Sequence, residues 1–156
     1  MIGIGFVILS LVFPLAHLAI GKEPRTKTRI VDLSLLYYSL VFNVGFVGLF
    51  FGFIPHVFFA DCTAHAIGWA TGFHDGAWGV LGSSCIWVRG RMWLATGLGW
   101  SFFMAGAAIG YRRDALVNDN YAPNNFLMIF VDGSIAVTLL SLLHPQRRWA
   151  LRPEVR

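Results

Sequence analysis

Asp132 stands in the apolar stretch 126–143, with Phe130, Val131, Gly133 and Ile135 around it. A carboxylate held away from water is costly. It either handles a proton, cation or solute, or it is fastened by hydrogen bonds. For the second role the natural partners are Tyr121, Asn124 or Asn125 ahead of it, Thr63 or His65 from a neighbouring segment, and Asn43 at depth in 31–54. Asp61 and His65 fall one helical turn apart within 57–70, and Trp69 continues the same face. An Asp one turn before a His can hydrogen-bond the ring or share a metal ion with it. Zinc needs three or four ligands, so Asp61 and His65 alone are weak metal candidates and a hydrogen-bonded pair is the preferred reading. His74 and Asp75 complete a set only if the segment folds back. The five histidines cluster at the ends of apolar runs instead of facing one another at depth, which disfavours bis-histidine haem ligation. Cys62 and Cys85 form no C-x-x-C and read as small buried residues. No nucleophile–base pair is visible, so no catalytic residue and no cofactor is assigned.

These residues need elements to hold them, and composition says which. Of 156 residues, 56% are hydrophobic and only 13% charged, about half the charged share of a soluble domain. Mean hydropathy is +0.64. The expectation is a single all-α integral-membrane domain over 1–156, a polytopic helical bundle, with lipid as its first partner. The formal charge of +4 is carried by basic residues at the ends of apolar runs, where they orient spans and do not bind nucleic acid.

Five apolar runs are marked off: 2–21, 31–54, 73–88, 92–111 and 126–143. A crossing needs about 20 residues, so the sixteen of 73–88 make the shortest span. A separate short helix over about 57–70 is expected on the outer side. With all five runs crossing, ten basic residues fall on one side and only Arg112 and Arg113 on the other. If 73–88 does not cross, the alternative of four spans divides them six and six. The positive-inside rule selects five spans with the N-terminus outside and the C-terminus inside. The first run lacks a basic leader and a small-residue cleavage pattern, and is read as a retained helix.

Glycines mark where helix backbones can meet. Gly48 and Gly52, Gly97, and Gly106 with Gly110 are the expected packing positions, and Gly45, Gly79 and Gly82 belong to the same small-residue pattern. The segment 118–125 is dense in turn formers, with Asn120 and Asn125 as polar candidates and Asn124 or Asn125 as the N-cap of the last span.

Several strings occur in a familiar order: Ala60-Asp61-x-Thr63-Ala64-x-x-Ile67-Gly68-Trp69, Gly79-Val80-Leu81-Gly82, Trp93-Leu94-Ala95-Thr96, Gly106-Ala107-Ala108-x-Gly110, and Asn120-Tyr121-Ala122-Pro123-x-Asn125, followed by Asp132. Together they resemble, over 58–143, an uncharacterised family of small bacterial inner-membrane proteins, a domain of unknown function. The resemblance implies an all-helical fold in a bacterial inner membrane, with polar positions at Asp61, Thr63, Asn120, Pro123, Asn125 and Asp132. It implies no activity. The chain departs from that pattern in a contracted stretch at Thr71–Asp75, in Tyr111 where the family has His, and in Asn124 where it has Gly. His74 and Asp75 stand where a rebuilt site would lie.

Three functional classes follow. The first is a non-enzymatic structural or accessory membrane protein, packed against partners or copies of itself. The second is a small transporter or channel for protons, cations or small solutes, homo-oligomeric in one form, with Asp61, His65, Asn43 and Asp132 along its path. Against it, the inner halves of the spans hold almost no ionisable group. The third is a membrane redox or metal enzyme using the outer His/Asp cluster.

Overall fold

A computed structural model describes residues 2–21, 37–59 and 65–150, and every regular element among them is helical. Helix α1 is Ile2–Ile20. Helix α2 is widened into three π-wound stretches, Leu40–Phe46, Gly48–Phe53 and Pro55–Phe59. Helices α3, α4 and α5 are His65–Ser84, Arg91–Val117 and Pro123–Ala150. Helix α2 packs along α3, α4 packs along α5, and α1 touches α2 and α5.

Glycines decide the α2–α3 pairing. A Cβ on Gly48 would stand 2.6 Å from the Asp75 carbonyl oxygen and 2.7 Å from the Gly79 nitrogen. One on Gly45 would stand 2.9 Å from the Ser83 nitrogen, and one on Gly82 would collide with Gly45. Matched glycines on two antiparallel helices therefore let backbone meet backbone, which a bilayer favours because close packing replaces the hydrophobic drive. Between α4 and α5, Gly97 receives the Leu143 side chain, and Trp93, Trp100, Met104, Ala136 and Leu139 fill the shared core.

Gly106 and Gly110 correct the expectation of a packing face there. Both are exposed, and a Cβ on either would meet no atom within 4 Å. At 100° per residue Gly106 lies about 200° around the helix from the buried Met104, so it faces away from α5.

The third helix also differs from its expected limits. No separate outer helix precedes it: the described part of 57–70 divides between the end of α2 and the start of α3, and 60–64 lie outside the described residues. Helix α3 thus begins at His65 instead of Phe73 and is 20 residues long, but it is not among the described helices apolar enough to cross a membrane. Its chain turns over 85–90, where Gly90 has φ +71°, a conformation that suits a residue without a side chain. The Trp93 indole donates to the Cys85 carbonyl at 2.8 Å and ties this turn to α4.

Helix α5 starts at Pro123, and the Ala122 carbonyl accepts from the backbone N–H of Asn125 and Phe126, both at 2.9 Å. Proline at the first helical position has no N–H to leave unsatisfied. Asn125 is therefore inside the helix and not its cap. Helix α4 likewise runs past Tyr111, to Val117, and α5 runs past Leu143, to Ala150.

Polar side chains share the interior with the apolar core, and large apolar ones stand outside it. Ser10, Ser39, Asn43, Thr96, Ser101 and Asp132 are buried, while Phe102, Phe130, Ile109 and Val137 are at least 60% exposed. Two helical stretches, Arg91–Val117 and Asn125–His144, are long and apolar enough to cross a membrane, whereas the apolar stretches Ile8–Ile20 and Leu40–Phe50 are shorter.

Candidate functional site

Four helices leave a cavity of about 320 Å³ between them. Helix α4 supplies its longest wall: Trp100, Phe103, Met104, Ala107 and Tyr111 recur at helical spacing and form one stripe. Helix α5 faces it with Met128, Val131, Asp132 and Ile135. The glycine contact described above brings the remaining wall close, with Asn43, Gly48 and Gly52 from α2 and Asp75 from α3.

Asp132 is 4% exposed, and no described side chain hydrogen-bonds its carboxyl. Among the described side chains, then, the expected fastening is not made; the side chain of Asn124, another expected partner, lies outside them. The Asn43 amide shares the cavity wall but donates to Ser10 Oγ at 2.7 Å. Tyr121 is exposed, and the Asn125 amide donates to the carbonyls of Asn120 at 2.8 Å and Tyr111 at 3.3 Å. Asp61 and Thr63 lie outside the described residues, as does the side chain of His65, so the Asp61–His65 pair does too.

Asp75 reaches the same cavity with its geometry held by two neighbours. Trp78 Nε1 donates to His74 Nε2 at 3.1 Å, and His74 Nδ1 lies 3.1 Å from Asp75 Oδ1. An Nε2 that accepts puts the ring proton of neutral His74 on Nδ1, where it is donated to Asp75. In the sequence Trp78 reads as an outer-side interface anchor; its spacing of four from His74 is the signal that points to this bond.

Asn120 and Asn125 belong to a different feature. Asn118 and Asn120 each donate to one carboxylate oxygen of Asp114, both at 2.6 Å, and Asn125 bonds back to Asn120. This clasp closes the α4–α5 connection, with Asp119 at φ +54°. Asp114 was not singled out in the sequence, because its partners follow it across a turn whose shape no periodicity predicts.

A second, smaller hollow of about 50 Å³ is lined by Ser10, Ser39, Ser134 and Thr138 among others. Asn43 and Ile135 line both spaces, so polar side chains continue from the main cavity toward α1. The sequence alone had offered no such continuity.

Chemically, the main wall presents two carboxylates, an amide and a phenol on an aromatic and thioether surface. Among the described residues it presents no lysine or arginine and no serine, threonine or cysteine nucleophile beside a base. Among the described residues, no three His, Cys, Asp or Glu side chains are grouped to hold a metal ion. Cys85 is a free, buried thiol outside this wall.

No curated protein and no solved structure matches the chain. A model described as a family of unknown function (DUF6790) matches residues 1–151, and the protein belongs to that family.

Proposed function

We propose that this chain is a small multi-span transporter or channel that carries a cation or small solute through its helical bundle. The observation that carries this reading is Asp132: a buried carboxylate without a described hydrogen-bond partner, on the wall of a cavity of about 320 Å³. Holding such a group costs several kcal/mol if it is charged, a cost that a bound cation or proton offsets. The setting we propose is a bacterial inner membrane crossed five times, with the N-terminus outside and the C-terminus inside. The ten-to-two division of basic residues and the exposed apolar side chains support that setting.

The test is flux into proteoliposomes. Reconstituted wild type should move protons or monovalent cations, and Asp132→Asn should reconstitute equally well and lose the movement. Equal flux from both proteins overturns the reading.

One observation favours a second reading, an accessory subunit or homo-oligomer. Leu49, Phe53, Phe73, Ala77 and Val80 outline an apolar hollow of about 310 Å³ along the α2–α3 seam, a shape that suits a partner helix or a lipid tail. A stable oligomeric mass in detergent that Ala77→Trp reduces to the monomer would favour it; an unchanged mass would count against it.

A further inference from the structure

We infer that the cavity between α2, α3, α4 and α5 binds a small organic ammonium ion. This rests on the proposed reading that the cavity is a ligand site, and adds the chemical class of the ligand.

The sign of charge comes first. Asp75 and Asp132 both lie on the wall, and among the described residues no lysine or arginine does. An anion would meet two carboxylates there, with only neutral donors such as the Trp100 indole and the Tyr111 hydroxyl to set against them. A neutral solute would leave the Asp132 carboxylate, 4% exposed and without a described donor, uncompensated.

The kind of cation comes from the rest of the surface. A bare metal ion asks for about six oxygen ligands at short range. The wall offers two carboxylates, one of them engaged by His74, an amide oxygen and one phenol, and among the described residues no three His, Cys, Asp or Glu side chains are grouped to hold a metal ion. The remaining surface is aromatic, aliphatic and thioether. That surface is poor for a hydrated ion and good for a charged nitrogen carrying carbon substituents. Trp100, Phe103 and Tyr111 stand along one stripe of α4, with the Trp100 and Phe103 rings 5.1 Å apart between centroids. Ring faces attract ammonium groups, most strongly where water is excluded. Met104 and Met128 add polarisable, adaptable contacts around alkyl groups.

Size agrees. A volume of about 320 Å³ is more than a proton or metal ion needs and falls at the small end of small-molecule sites.

The test is calorimetric titration of the detergent-purified full chain with butylammonium, choline and tetraethylammonium. Each is compared with a neutral carbon analogue, 3,3-dimethylbutan-1-ol in the case of choline. At least one ammonium ion should bind saturably, about tenfold or more tightly than its neutral analogue. Asp132→Asn should weaken that binding about tenfold or more, and Phe103→Leu should weaken it less. Circular dichroism and a single size-exclusion peak establish that each variant is folded. If Asp132→Asn does not fold, Asp75→Asn and Phe103→Leu carry the test, and both must weaken binding. Equal binding of the neutral analogue, binding indifferent to the folded variants, or no ammonium binding at all overturns the inference. Asp132-dependent flux of protons or inorganic cations alongside such a result would leave the transport reading standing without it.

Discussion

Gly48 on α2 and Gly79 on α3 meet backbone to backbone: a Cβ on Gly48 would lie 2.7 Å from the Gly79 nitrogen and 2.8 Å from its Cα. Neither neighbour can give way, because both are main chain inside a helix. Gly48→Val should therefore lower thermal stability in detergent by about 1–3 kcal/mol, the usual cost of overpacking. An unchanged melting temperature would show that α2 and α3 pack elsewhere.

Gly106 supplies the opposite expectation on α4. It is exposed with open space at its Cβ position, and it sits in the middle of a helix. Gly106→Ala should raise stability by about 0.4–1 kcal/mol by narrowing the unfolded ensemble. A loss of stability instead would reveal a neighbour at that face.

Asp132 separates stability from activity. Since no described donor fastens its carboxyl, Asp132→Asn should keep or raise the melting temperature while abolishing flux. Asp132→Leu should fold as well, because a buried ionisable group is replaced by an apolar one of similar size. Unfolding of both variants would assign Asp132 a structural bond and contradict the transport role.

The Asp114 clasp can be opened directly. Asp114→Ala removes the acceptor of two side-chain amides, Asn118 and Asn120. Amide hydrogen exchange over 118–122 should accelerate, and the melting temperature should fall slightly. Exchange that is unchanged there would mean that the turn holds itself.

Topology is checked by labelling. In a Cys62→Ala, Cys85→Ala background, Tyr121→Cys should react with an impermeant maleimide from outside, and Gln146→Cys should not. Outside labelling of Gln146→Cys would reduce the crossings to four.

Much of the helical content was legible in the sequence. Long apolar runs with few charges specify helices, since a helix satisfies its backbone groups internally. Glycine spacing showed which small residues share a face, and Asp132 stood out as the costly polar group in an apolar span. The sequence did not show which glycine face is used, because Gly48 with Gly52 and Gly106 with Gly110 have the same spacing, and only the partner helix tells them apart. The short helix expected over 57–70 already covered the start of α3; that it runs unbroken into the next apolar run was not visible, because hydropathy falls across 71–72 and 74–75. The cavity itself was out of reach. Asp75, Trp100, Tyr111 and Asp132 come from three helices, and periodicity orders residues only along one. Their meeting depends on the close α2–α3 approach and on the rotation of α4 against α5, both set by non-local packing that no single segment encodes.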